Sequence, residues 1–174
     1  MEYRPEHAIE ILSQTPATLS ALLRGLSDPW TRYNEGAETW SPYDVVGHLI
    51  HGEETDWVPR ARIILQEGES RAFEPFNRFA QFEQSKGQSL GYLLEKFAQM
   101  RRQNLDTLKQ MGITSEQWEL RGTHPELGTV TLGQLIAAWV VHDLNHIGQI
   151  VTVMAKQYTE AVGPWRAYLP ILDQ

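Results

Sequence analysis

The chain has 174 residues, 41% hydrophobic and 21% charged, a size and balance that suit one globular domain (1–174) with a real hydrophobic core. Lys and Arg number 15 against 22 Asp and Glu, a net charge of −7, which argues against nucleic-acid binding through clustered cations. No cysteine is present, so disulfides, thiolate metal sites and cysteine nucleophiles are excluded, and any metal must rest on histidine and carboxylate.

MEYRPEHAIEILSQ lacks a basic segment followed by an apolar run, so no signal peptide is expected, and the cytoplasm is the default location. Ile9, Leu12, Leu19, Leu22, Leu23 and Leu26 give Glu6–Leu26 a helical period, with a kink or restart expected at Thr15-Pro16. After Ser27-Asp28-Pro29 comes a loop through Trp30–Trp40. Ser41-Pro42-Tyr43-Asp44 opens a second helix, with Ser as N-cap and an acid three residues on. That helix is expected to run to about Gln66, kinked at Pro59. Within it Gly47 precedes His48 and permits close approach of a neighbour.

Glu67–Gln88 is longer than a usual helix–helix connection. It carries Phe73, Phe76, Phe79 and Phe82, read as a loop pinned by its aromatics. Ser89–Met111 forms a third helix stopped by Gly112. Ser115–Trp118 reads as a helical turn, and Thr131-x-x-Gln134 as the capping box of a fourth helix ending near Gln157. Gly163-Pro164 breaks the chain before a short docking segment, Trp165–Leu172. No strand pattern of useful length appears. Four helices with unequal connections predict an all-α four-helix bundle.

The fourth helix holds the chemistry. Thr131–Ala155 is almost wholly apolar, yet carries His142, Asp143, Asn145, His146 and Gln149 near its middle. Five such groups argue against a membrane span and for a buried helix. His142 and His146, four apart, stack on one helical face, where two neutral imidazoles can share one divalent cation. Alone the pair is more often a pair of hydrogen-bonded core histidines; inside a helix with so little charge, each ring needs a partner. His48 is the preferred third ligand, because it lies within an apolar run. His51, the rival, opens the polar stretch Gly52–Asp56. His7 reads as a surface residue and His124 as a loop residue. Asp143 and Asn145 read as helix-to-helix hydrogen bonders, Asp44 as a cap with a possible contact to a ring N–H, and Gln149 as a lining of the same cavity.

WSPYDVVGHLIHGE followed far downstream by WVVHDLNHIGQI resembles the DinB-like superfamily of metal-dependent proteins, the YfiT-like and DinB_2 groups. The resemblance covers nearly the whole chain and is specific at the two histidine segments. It implies an up-down-down-up four-helix bundle, for which Glu67–Gln88 supplies the long crossover. It also implies a divalent metal, zinc or nickel with iron as a further candidate, held by His48, His142 and His146, and a homodimer.

The expected function is therefore a metal-dependent enzyme acting on a small molecule, with a hydrolase as the broader expectation. A transferase or isomerase using a low-molecular-weight thiol is the first alternative. A non-catalytic bundle that binds a metal or ligand is the second. No catalytic base is identifiable: Asp44, Glu53, Glu54 and His51 are candidates and none stands out.

Overall fold

A computed structural model describes residues 4–36 and 38–173. Met1–Tyr3, which open the segment read for a leader, lie outside the described residues, as do Ala37 of the expected Trp30–Trp40 loop and Gln174.

Among the described residues seven α-helices and one hairpin follow in order: α1 (Pro5–Leu23), α2 (Asp28–Thr31), α3 (Pro42–Thr55), α4 (Trp57–Gln66), α5 (Ala80–Gln84), α6 (Leu90–Gln110), β1 (Arg121–His124), β2 (Gly128–Thr131) and α7 (Leu132–Lys156). Helices α1, α3 with α4, α6 and α7 make the four-helix bundle. Tyr43 near the start of α3 donates to the carbonyls of Ser85 and Gln88 just before α6, and Glu54 near the end of α3 meets Lys96, so α3 and α6 run parallel. Arg24 at the end of α1 meets Glu95 near the start of α6, which makes that pair antiparallel. The order is up-down-down-up.

Local chemistry sets the helix boundaries. Ser41 accepts from the Asp44 N–H while Asp44 accepts from the Ser41 N–H, and Thr131 and Gln134 do the same at α7, each pair satisfying otherwise orphaned donors. Pro59 has no N–H for the Thr55 carbonyl and its ring crowds it. The break accordingly falls at Asp56, between α3 and α4. The restart expected at Thr15-Pro16 does not occur: α1 passes through Pro16 unbroken. The carbonyl that Pro16 cannot use belongs to Leu12, and Arg101 of α6 donates to it at 2.9 Å.

The expectation of no strands is corrected by the β1–β2 hairpin, paired from Arg121↔Thr131 to His124↔Gly128. Four-residue strands are too short to show a period of two. The ring of His124, Nδ1 accepting from the Glu126 and Leu127 N–H groups, ties its turn, and Phe73 and Ile64 pack where Gly122 lacks a side chain. Of the four aromatics in the long crossover, Phe73 and Phe76 are the more buried, and Phe82 sets its edge against Trp40 with ring centres 6.5 Å apart. Phe73 is buried, whereas Phe79 and Phe82 are exposed and stack on one another. Its short helix α5 lies on α3 at Gly47, where any Cβ would meet Gln81 and Ser85.

Two apolar cores lie along the bundle. One joins Leu12, Trp57, Ala61, Leu132, Ile136 and Trp139; the other joins Leu19, Leu23, Val46, Leu49, Phe97 and Ile150. Between them each long helix turns polar: Thr15 on α1, His51 and Glu53 on α3, Arg101 on α6, and His142, Asp143 and His146 on α7. A second correction concerns α7, which is not buried all round. Val141 and Leu144 are 64% and 49% exposed, while α3 is covered on every side, by the bundle and by the crossover. The C-terminal segment docks through Leu172 rather than Trp165, which is 72% exposed.

Candidate metal centre

His48 stands in the second turn of α3, and His142 and His146 on successive turns of α7. Their side chains converge, one ring nitrogen from each lying within 4.8 Å of the others. His142 Nε2 is 3.0 Å from His48 Nε2 and 3.2 Å from His146 Nε2. His146 Nδ1 donates to Gln149 Oε1 at 2.8 Å, which leaves its Nε2 as a lone pair facing the cluster. His142 Nε2 has one position and two neighbours. Even protonated, it can serve only one of them, so a lone pair still faces another nitrogen.

Aromatic rings enclose the three imidazoles. Trp40 lies 4.7 Å from His48 and stacks on His146, Phe76 sets its edge against His48, and Trp57 meets His142 at 5.1 Å. Burial penalises the imidazolium form, and each ring disfavours charge on the next. His48 is held down to about 3, by burial first and then by His146 and His51. His142 is held down to about 2, by burial and then by His146 and His48. His146 is lowered by burial against the opposing pull of Gln149 and Asp143. The cluster is therefore neutral at pH 7, the state in which imidazole binds metals.

His51 is not part of the convergence. It is buried rather than on a polar edge, packs on Phe76 at 4.9 Å, and its Nδ1 has no hydrogen-bond partner among the described residues. Asp44 is engaged in its cap, and among the described residues no ring N–H donates to it. Asn145 is exposed, so its expected role between helices is not met. His7 is exposed, and His124 belongs to the hairpin, away from the cluster.

Asp143 does more than bridge two helices. It accepts Arg101 Nη1 at 2.5 Å and Nη2 at 2.9 Å, while Glu53 Oε1 accepts Arg101 Nε at 2.9 Å and Nη2 at 2.7 Å. Glu53 also accepts from Asn104 and from the Trp139 indole. Arg101 escaped the sequence reading, although a signal was present: it sits on the apolar stripe of its helix, four residues after Phe97 and four before Leu105. Trp40, Trp57 and Phe76 carried no signal that separates them from core aromatics.

A cleft of about 690 Å³ reaches the cluster at His146, lined by Trp40, Gln149, Glu35, Glu38 and Lys156. A larger cavity, about 840 Å³, lies between α1 and α6 with Arg101 in its wall; none of the three histidines lines it. Among the described residues no helix is long and apolar enough to cross a membrane.

Comparison with known proteins bears on both fold and site. Residues 11–150 match the DinB superfamily. No curated protein matches the chain. Among solved structures, YfiT from Bacillus subtilis, described as a probable metal-dependent hydrolase with an unusual four-helix bundle topology, is similar with a TM-score of 0.76 and 21% identity. The match covers 90% of this chain and 93% of that one.

Proposed function

The chain belongs to the DinB superfamily, and from that premise we propose that His48, His142 and His146 hold one divalent cation at the centre of a metal-dependent enzyme acting on a small molecule. The observation that carries the proposal is the meeting of three neutral imidazoles on Nε2, with lone pairs that no protein donor satisfies together. Ligands about 2.0–2.1 Å from one cation stand roughly 3.0–3.4 Å apart, and the observed separations of 3.0 and 3.2 Å fit that spacing. Three protein ligands, without a fourth, also leave a position for an exchangeable molecule. An all-imidazole set suits zinc, nickel, copper and iron alike, and zinc or nickel is the proposed ion, with iron as a further candidate.

When bound, such a cation supplies Lewis acidity, which acidifies a water or thiol and polarises a carbonyl oxygen. The protein does the rest. Gln149 fixes the tautomer and orientation of His146, Trp40 and Phe76 keep water from the flank of His48, and the cleft beside His146 admits the substrate. A hydrolase is the broader reading and agrees with what is said of YfiT.

One set of contacts favours the thiol-dependent transferase as the second reading. The carboxylates closest in sequence to the ligands are engaged elsewhere: Asp44 in its cap, Glu53 and Asp143 on Arg101, and Glu54 on Lys96. A thiol co-substrate needs no separate base once it is ionised at the cation. Turnover of ester, amide or thiol probes separates both readings from a bundle that only binds metal.

Metal content by elemental mass spectrometry tests the proposal. Near-stoichiometric zinc or nickel in the wild type, lost in His48→Ala and in His142→Ala, is the expected result. A wild type that stays metal-free after incubation with both ions overturns it.

A further inference from the structure

We infer that Arg101 is the positioning residue of the centre: its guanidinium sets the relative height and rotation of α3 and α7, and so brings His48 to His142 and His146. The argument begins with its donors. All five N–H groups are used: Nε on Glu53, Nη1 on the Leu12 carbonyl and Asp143, Nη2 on Glu53 and Asp143. The side chains of Arg101, Glu53 and Asp143 are at most 1% exposed. A planar guanidinium presents its donors in a rigid fork, so carboxylates on both sides of it are fixed in angle as well as distance.

Those two carboxylates belong to the helices that carry the ligands. Glu53 lies five residues after His48 on α3, and Asp143 follows His142 directly on α7. Turning α7 by one residue, about 100°, would carry Asp143 away from the fork and both imidazoles away from His48. A second path reaches the same ring. Glu53 accepts the Trp139 indole N–H at 3.2 Å, Trp139 stacks on Trp57 with ring centres 5.6 Å apart, and Trp57 bears on His142. Pro16 completes the arrangement by leaving the Leu12 carbonyl to Arg101, which ties in α1.

Stability alone does not account for such a cluster. Well-packed apolar residues of similar volume often replace buried ion networks at no loss of stability. What they lack is direction. The inference therefore separates fold from site: an apolar replacement should keep the bundle and lose the alignment of the rings.

The test compares wild type with the triple variant Arg101→Met, Glu53→Leu, Asp143→Leu, and with Arg101→Lys, which keeps the charge without the fork. The first readout uses metal-free protein, in which imidazole ¹H–¹⁵N spectra report the tautomer and environment of each ring. Wild type should give one sharp set of signals for the three clustered histidines. The triple variant should melt at a similar temperature but show shifted or multiple sets for His142 and His146. Zinc affinity, the second readout and the only one resting on the metal reading, should fall by about tenfold or more, the usual scale for groups that orient ligands. Should the triple variant fail to fold, Arg101→Lys carries the test with the same expected spectral change. Unchanged spectra in a folded variant overturn the inference. Wild type without zinc affinity overturns the metal reading instead, while the spectra still decide this one.

Discussion

His142 and Asp143 are neighbours on α7, yet they look into polar clusters of opposite character. Around Asp143 every donor of Arg101 has an acceptor: Asp143 takes two of the N–H groups, and Glu53, on the other side of the guanidinium, is held by Asn104 and the Trp139 indole as well. Around His142 three nitrogens meet with no donor to serve them together, and Nδ1 of His48 and of His142 has no hydrogen-bond partner among the described residues. The first cluster is closed and complete. The second is neutral and under-satisfied, in the same buried belt of the same bundle. Full satisfaction is thus attainable at this depth, and its absence where three imidazoles converge supports the proposal that they form a site.

The largest expected effect breaks the closed half. Arg101→Met alone leaves Glu53 and Asp143 buried without a counter-charge, which should destabilise by roughly 3–5 kcal/mol, read from urea denaturation. A loss below about 1 kcal/mol would mean that the two clusters differ less than their contacts indicate.

Next comes filling of the open half. Saturating zinc should raise stability by about 4 kcal/mol at a thousandfold excess over its dissociation constant, visible as a rise in melting temperature. His142→Ala should abolish that rise, and an equal rise in the variant would place zinc elsewhere.

Acid should then discriminate between the halves. In the folded metal-free protein His48 and His142 are held to about 3 and about 2, while in the unfolded chain each titrates near 6.5. Folded values below unfolded ones give stability that is present above pH 6.5 and lost as pH falls toward 3. The expected slope reaches about 1.4 kcal/mol per histidine per pH unit. Denaturant midpoints from pH 7.5 to 5 check it, and replacing both rings with Phe should flatten the curve.

The smallest change sharpens the contrast at one atom. Gln149→Leu removes the acceptor that orients His146 and should weaken zinc binding by about tenfold with little change in the metal-free melting temperature. Isothermal titration measures it, and wild-type affinity would remove Gln149 from the site.

Much of this was legible in the chain because it is local. Helix positions followed from the 3.6-residue period, and both capping boxes from a four-residue pattern. His142 and His146 followed from a spacing of four on one helix. His48 was preferred over His51 by its apolar neighbours, and its ring is the one that joins the cluster. The reason was partly wrong, since His51 is buried as well and differs in direction, not in depth. What stayed hidden was long-range. Arg101 meets Asp143 across 42 residues and Glu53 across 48, and no local pattern encodes that pairing. The same contact explains why α1 does not restart at Pro16, because a helix tolerates a proline when a distant side chain takes the freed carbonyl. The hairpin escaped because its strands are short and rich in Gly and Thr.

The complete enclosure of α3 has a consequence for how a bound ion would leave. Eleven of its 14 residues are buried, and the crossover covers the face that the bundle does not. Its amides around His48–Glu53 should be among the slowest in the chain to exchange with deuterium, opening only when the bundle itself opens. Helix α7, with Val141 and Leu144 facing outward, has a free flank, and the amides on that flank should exchange sooner. At the proposed centre, release to a chelator would then be timed by opening of the bundle, because Arg101 ties α7 to α3 beside His142.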